Sequence, residues 1–260
     1  MVNTPRPSGV RIFIFIWFGQ LVSLLGTGMT RFALLLWAYQ QATPAGHPAT
    51  TVALLGFCAY IPYLLCSPLA GVVVDRVDRR RVMLCADVGA GALTLGMWVC
   101  YTLGDLRLWH LYLAEALTGA CEAFQVPAYT VATSMLVDKA SYSRVNGLRA
   151  LTDAASQVLA PVLAGALLPW IALPGIMLID VATVCVACLT LLTVRIPPPP
   201  VAPDDVPTAD GWWHHVSYGF RYIRRHPGLR GLLCIYGGMN GCAALTYPKV
   251  RRGPRALARG

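Results

Sequence analysis

The chain has 260 residues, of which 56% are hydrophobic and only 13% are charged, and its mean hydropathy is +0.57. This composition excludes an ordinary water-soluble domain and an intrinsically disordered chain. The apolar residues form runs of about twenty, which excludes a porin-like barrel, because barrel strands alternate over about ten residues. The formal net charge of +9 falls between these runs, so we expect no nucleic-acid binding. The sequence therefore predicts an all-α membrane protein.

Six apolar stretches are long enough to cross about 30 Å of hydrocarbon as helices. Charge, glycine or proline separates each stretch from the next. In chain order they span residues 12–39, 51–74, 82–103, 109–136, 145–170 and 174–194. We expect them to form an N-terminal six-helix transmembrane bundle over residues 1–195. All nine cysteines lie in apolar stretches, so we interpret them as packing residues and expect neither a metal nor another cofactor.

Lysine and arginine are distributed unequally between the two sets of links that join the predicted helices. Arg6 and Arg11, the four arginines between helices two and three, and the basic segment after helix six all lie on one side. On the other side, the link between helices one and two carries no basic residue, and the link between helices three and four carries only Arg107. The positive-inside rule then places the N-terminus in the cytoplasm and the protein in the cell membrane.

The composition changes abruptly after the sixth predicted helix. Residues 196–228 contain four consecutive prolines and then an amphipathic stretch, so we interpret them as a cytoplasmic linker whose helix lies on the inner leaflet or on the protein itself. Residues 229–248 form a candidate seventh transmembrane helix. The basic tail 249–260 would then emerge outside, against the charge rule, so we expect a reading-frame change or premature stop near Pro248.

A motif of glycine and charged residues stands at the end of the second predicted helix. Glycine permits close helix approach there, and the acidic and basic groups offer switchable ion pairs. The stretch is Gly71-Val72-Val73-Val74-Asp75-Arg76-Val77-Asp78-Arg79-Arg80-Arg81. It resembles GxxxDRxxRR, the signature of the major facilitator superfamily, with Asp78 at the usual glycine as in the enterobactin-exporter and macrolide-efflux branch. The resemblance extends over residues 10–247, and helix five keeps Pro161 and Gly165 of the exporter motif, with alanine at positions 160 and 164.

This resemblance implies a secondary transporter of about twelve helices, built as two six-helix halves around a central cavity. The chain then contains the first half of that fold and the candidate seventh helix. The resemblance also implies that the signature is a conformational gating motif, for which simple positive-inside anchoring is the alternative role. The residues concerned are Gly71, Asp75, Arg76, Arg79 and Arg80.

Ionisable residues inside the predicted spans are costly, at about 2.5–3.5 kcal/mol each at mid-depth, so each needs a partner, a wet cavity or a function. Glu115 and Glu122 lie seven residues apart, roughly 10 Å along one face of helix four. Arg31 in helix one lies at a depth comparable with Glu115, so a pair between them is expected. A desolvated Glu122 is either a proton-binding group or a hydrogen-bonded structural residue.

Three further acidic residues lie inside the predicted spans. We interpret Asp87 and Asp180 as structural. Asp153 lies four residues after Arg149, which favours a local ion pair. Its alternative place is in the proton and substrate cavity, which we expect to contain Arg31, Glu115 and Glu122 as well.

The sequence therefore favours a proton-coupled exporter of a small molecule of the drug or siderophore type, in a truncated form. An importer with the same fold, and a membrane remnant that does not transport, stay open as alternatives. The expected partners are a small-molecule substrate, protons, membrane lipid and a full-length or complementary half-transporter. We expect no enzymatic activity, since no catalytic constellation or phosphate-binding glycine loop is recognisable.

Overall fold

The computed structural model of the chain describes residues 7–137 and 141–194, together with positions 228 and 231. The chain divides into two units, Met1–Val201 and Ala202–Gly260. The predicted linker helix, seventh helix and basic tail lie outside the described residues, apart from Gly228 and Gly231, which are helical.

The described residues contain helices and no strand, which confirms the all-α prediction. There are five helices: α1 (Pro7–Ala42), α2 (Pro48–Arg76), α3 (Arg79–Thr102), α4 (Leu108–Leu136) and α5 (Tyr142–Thr193). Four of them, all except α4, are long and apolar enough to cross a membrane. The predicted count of six is not confirmed, because the last two predicted helices form the single 52-residue run α5.

The helix α5 is broken at Ala172, whose backbone angles are φ 51° and ψ −176°. Before this break, α5 follows α1 in the same direction: the indole of Trp17 donates to Thr152, and the hydroxyl of Ser156 donates to the carbonyl of Leu24. After it, the direction is opposite, because Thr27 contacts Asp180 whereas Thr30 contacts Ile176. The chain therefore reverses at Ala172, and both parts of α5 pack on α1.

The links between helices follow from local chemistry. Val77 and Asp78 form the two-residue link between α2 and α3, and the Asp78 carboxylate accepts a hydrogen bond from the backbone N–H of Arg80 at 3.0 Å. Asp78 thus caps the first turn of α3, where four backbone N–H groups have no partner within the helix. An aspartate at this place of the motif therefore helps α3 to begin directly after the link.

The apolar core consists of two main clusters with a polar layer between them. Along α1, Ile16 belongs to one cluster and Met29 to the other, while Gln20 and Thr27 lie between these positions. Along each of the other helices that contribute to the layer, the polar residues likewise lie between members of one cluster and members of the other. The polar side chains of different helices therefore meet at one depth.

Helices α2 and α4 approach closely at Gly119. A Cβ atom built at Gly119 would lie 2.0 Å from the carbonyl oxygen of Ala59 in α2. Only glycine fits here, because any side chain would overlap the backbone of the neighbouring helix. In an apolar solvent such close backbone contact is a main source of helix association.

We expect Gly119→Leu to separate α2 from α4 and lower the melting temperature of the detergent-purified protein by roughly 5 °C, as overpacking of about 1–3 kcal/mol implies. Gly96→Leu is the matched control, because a Cβ at Gly96 meets no described atom within 4 Å. Thermal unfolding followed by circular dichroism measures both variants. Equal melting temperatures for the two variants would contradict the assigned contact.

Candidate functional site

The polar layer opens into a cavity of about 340 Å³ between α1, α3, α4 and α5. Its wall combines apolar and aromatic side chains with ionisable and amide groups. The polar, ionisable and aromatic side chains in this wall include Trp17, Gln20, Thr27, Arg31, Asp87, Cys121, Glu122, Gln125, Tyr129, Arg149, Thr152 and Asp153. This cavity is large enough for a small molecule.

Arg31 of α1 bridges the two glutamates of α4. Its Nη2 lies 2.9 Å from Oε1 of Glu122, and its Nε lies 3.4 Å from Oε2 of Glu115. The Glu122 side chain is 37% exposed and lines the cavity, whereas that of Glu115 is 17% exposed and does not. The three side chains carry one net negative charge when ionised. Glu122 is thus the carboxylate of this group that the cavity reaches.

A second group surrounds Asp87 of α3. Gln20 of α1 donates to Oδ2 of Asp87 at 2.9 Å, and Gln125 of α4 donates to Oδ1 at 2.5 Å. The same Gln125 amide also donates to the side-chain oxygen of Gln20 at 3.0 Å. Three helices are therefore joined by one carboxylate, which agrees with the structural role expected for Asp87.

Asp180 in the second part of α5 is buried and joins another three helices. Thr27 of α1 donates to Oδ1 and Thr94 of α3 donates to Oδ2, each at 2.9 Å. Within the described part of the chain, the groups that donate hydrogen bonds to this carboxylate are neutral hydroxyls. Because both of its oxygens are satisfied by packing helices, the contacts agree with a structural role for Asp180 as well.

Asp153 and Arg149 of α5 both line the cavity but do not form the expected ion pair among the described residues. Arg149 instead donates to the hydroxyl of Thr130 at 2.5 Å, and its guanidinium lies 5.6 Å from the ring centre of Tyr129. Arg149 therefore binds side chains of α4 rather than Asp153 in the next turn of α5. Asp153 is left exposed towards the cavity without a described hydrogen-bond partner.

The residues of the predicted gating motif have very different surroundings. Arg80 donates from Nε to the carbonyl of Leu191 at 2.6 Å and from Nη2 to that of Leu192, at the end of α5. Arg79 is buried, and its Nε and Nη1 have no hydrogen-bond partner among the described residues. Asp75 and Arg76 are exposed and take part in none of the ion pairs between described residues.

The close helix approach expected at Gly71 is absent from the described part of the chain. A Cβ built there would meet no described atom within 4 Å. Close approach occurs instead at Gly28 of α1, where a Cβ would lie 2.8 Å from the methyl group of Ala160. Ala160 is one of the alanines that replace glycine in the exporter motif. The glycine of this contact is therefore on α1, and the alanine is on α5.

Several lining residues escaped the sequence analysis. Gln20 and Gln125 were not assigned as partners of Asp87, nor Trp17 and Thr152 as a pair that joins α1 to α5. Amides inside apolar helices were the available signal, because an unpaired amide is costly in hydrocarbon. Nothing in a single sequence states which helices face one another.

The arrangement can bind a proton and polar groups but has no described metal site. Among residues 7–137 and 141–194, no group of three or more His, Cys, Asp or Glu side chains is placed to hold an ion. Cys185 and Cys188 are free thiols. The acidic and basic side chains among the described residues that line the cavity are Arg31, Asp87, Glu122, Arg149 and Asp153.

Comparison with known proteins relates the chain to two proteins that are named for efflux or export. The chain is 28% identical over 224 residues to macrolide efflux protein A of Streptococcus pyogenes, covering 86% of this chain and 54% of that protein. It is 24% identical over 238 residues to the enterobactin exporter EntS of Shigella flexneri, covering 92% of this chain and 55% of that protein. The chain thus spans about half the length of the curated relatives it matches.

The family itself is established by a broader match. A sequence model of the Major Facilitator Superfamily matches residues 16–253, which is most of the chain. This match agrees with the expected branch and points to transport rather than to enzymatic catalysis. Together with the long apolar helices, it makes the protein a multi-pass membrane protein. The chain belongs to the major facilitator superfamily.

Proposed function

We propose that the chain forms the first half of a proton-coupled exporter of small molecules of the drug or siderophore type. The half crosses the cell membrane six times, with its N-terminus in the cytoplasm. The reversal at Ala172 supports two crossings within α5, and the arginines of the α2–α3 link support the orientation. The names of the relatives, a macrolide efflux protein and an enterobactin exporter, favour export over import.

The bridge made by Arg31 is the observation on which proton coupling rests. One guanidinium faces two carboxylates, so the ionised group carries a net negative charge in surroundings that are poor in water. A proton on Glu122 makes the group neutral and leaves Arg31 paired with Glu115. The charged and neutral states therefore differ in desolvation cost, which is the property that a proton carrier needs.

Substrate and proton compete for Glu122 in this mechanism. A substrate with a cationic or hydrogen-bond-donating group binds the ionised carboxylate, while Trp17 and Tyr129 contact its apolar part. A proton that enters from outside then neutralises Glu122 and releases the substrate outward. Alternating access couples the two events, because both ligands use one cavity.

The complete cavity requires a second half. Arg31 and Glu122 are both more than a third exposed on the described half, although neither is suited to contact lipid. A complementary six-helix half would cover them and close the cavity. We therefore assign transport to the assembly of the two halves.

In a full-length version of the transporter, Glu122→Gln is expected to abolish uphill efflux driven by a proton gradient, with at least a tenfold loss of rate. Substrate counterflow without a gradient should also fall, since the neutral amide resembles the protonated carboxylate, from which the substrate is released. Asp105→Asn is the control, because Asp105 is an exposed carboxylate paired only with Arg107. Uphill efflux that kept its proton dependence in Glu122→Gln would refute this role.

Single cysteines, introduced after the nine native cysteines are replaced by serine, should report the topology in intact cells treated with a membrane-impermeant maleimide. Gln41→Cys and Trp170→Cys should react from outside, since they lie near the end of α1 and beside the reversal in α5. Arg76→Cys, at the end of α2, should react only after permeabilisation. Equal labelling of Gln41→Cys and Arg76→Cys from one side would contradict the crossing by α2, and labelling of Arg76→Cys alone in intact cells would overturn the orientation.

The gating role of Arg80 follows from its position between α3 and the end of α5. It satisfies two carbonyl groups that have no partner within the helix, so its removal should loosen the last turn of α5. A hydrogen bond to a charged group contributes roughly 1.5–3 kcal/mol to stability. We therefore expect Arg80→Gln to raise the rate of amide hydrogen exchange in the final turn of α5 about tenfold. It should also slow transport.

Arg107→Gln is the matched control for this change, because Arg107 lies between α3 and α4 and pairs only with the exposed Asp105. Hydrogen exchange measured by mass spectrometry should show unchanged protection at the end of α5 in this control. Unchanged protection in Arg80→Gln as well would contradict the gating contact.

A further inference from the structure

A second cavity of about 340 Å³ lies between α2, α3 and α4 and shares Cys121 with the lining of the first. Its lining is apolar except for one arginine and two thiols. The lining residues are Val73, Val77, Arg81, Val82, Cys85, Ala86, Cys121 and Phe124. We call this space the α2–α3 crevice. It is unlike the transport cavity, because it offers neither a carboxylate nor an amide.

The geometry of the helices explains the crevice. The two-residue link Val77–Asp78 holds the ends of α2 and α3 together, but beyond it α2 packs mainly on α4 and hardly touches α3. The gap between α2 and α3 is closed at the back by α4. It extends from Arg81 towards Cys121, which lies level with Gly89, so its length along α3 is about 12 Å.

The surface of the crevice is accessible from outside the bundle. Val77, Arg81 and Cys85 are exposed, while Val82 and Ala86 form part of the buried floor. In a multi-pass membrane protein, an apolar gap of this kind at the end of a spanning helix faces the acyl chains of one leaflet. Lipid chains are therefore the apolar molecules present there at high concentration.

Arg81 supplies charge complementarity for one class of lipid. Among the described residues it is the only charged one that lines the crevice, and it lies at the end near the α2–α3 link. Arg80 is engaged with the carbonyls of α5, whereas Arg81 has no ion pair or side-chain hydrogen bond with described residues. A guanidinium at the interface pairs well with phosphate, and basic pockets between spanning helices bind anionic head groups.

We propose that the α2–α3 crevice is a binding site for one anionic phospholipid. The acyl chain fills the gap in front of Cys121 and Phe124, and the phosphate binds Arg81 at the rim. The bound lipid holds α2 and α3 apart at a fixed distance beside the gating motif. This site does not depend on proton coupling or on the direction of transport.

The test uses the purified full chain in nanodiscs of phosphatidylcholine. Each sample contains a small fraction of photoactivatable phosphatidylglycerol or, separately, photoactivatable phosphatidylcholine, with the reactive group on the acyl chain. After illumination, mass spectrometry measures labelling of the peptides that contain Cys85 and Phe124. We expect phosphatidylglycerol to label them about fivefold more than phosphatidylcholine, the equivalent of about 1 kcal/mol for one interfacial arginine.

Two variants separate the head-group contact from the acyl-chain contact. Arg81→Gln should reduce labelling by phosphatidylglycerol to the level of phosphatidylcholine, while Arg81→Lys keeps most of the preference. Cys85→Trp should fill the crevice and reduce labelling by both lipids. The controls are Arg107→Gln, in the link between α3 and α4, and Val88→Trp, an exposed position of α3 outside the crevice lining.

Three results would overturn the proposal. They are equal labelling by the two lipids in the unchanged protein, a lipid preference that survives in Arg81→Gln, and crevice labelling that survives in Cys85→Trp. The last result would mean that the labels come from lipid at the outer surface of the bundle. Helical circular dichroism and monodisperse elution identify a misfolded Cys85→Trp, and the comparison of Arg81→Gln with Arg107→Gln then decides the proposal.

Discussion

The cost of placing charged and polar groups in hydrocarbon is the constraint on which the rest of this structure depends. Apolar clusters fill both ends of the bundle, and the polar groups between them come from α1, α3, α4 and α5. No single helix could satisfy them. Asp87 needs α1 and α4, and Asp180 needs α1 and α3, so the polar layer fixes which helices are neighbours and at which depth they meet.

The same constraint separates structural carboxylates from the one proposed to carry a proton. Asp87 and Asp180 each accept hydrogen bonds from two neutral donors, and these contacts cross between helices that pack tightly. Glu122 shares a single guanidinium with Glu115 and faces the cavity. Protonation of Asp87 or Asp180 would weaken helix packing, whereas protonation of Glu122 leaves Arg31 with a second partner. The shared arginine thus lets the group change charge without losing its contact between α1 and α4.

The sequence predicts features that depend on a single helix, such as its ends and the residues that share a face. It does not predict contacts for which two helices offer alternative partners. Hydropathy located the helices to within a few residues at most ends, and the break at Ala172 falls in the turn expected between 170 and 174. Helical spacing put Glu115 and Glu122 on one face. The spacing of Arg149 and Asp153 was equally good, but Tyr129 and Thr130 of α4 supply a better partner for the arginine. Gly71 is a further example. A glycine in a helix is compatible with close approach of another helix, but the sequence does not show which helix that is, and no described atom of another helix lies close to Gly71.

The three arginines that follow Asp78 show how position along one turn decides function. Successive residues of a helix are about 100° apart, so neighbours in sequence face different surroundings. Arg79 points into the bundle, Arg80 reaches the end of α5, and Arg81 stands at the rim of the α2–α3 crevice. Counting them together as positive-inside charge supports the proposed orientation but does not explain these separate contacts. Any movement that changes the rotation of α3 alters all three at once, and this makes the start of α3 a suitable place to couple the bundle, the end of α5 and the surrounding lipid.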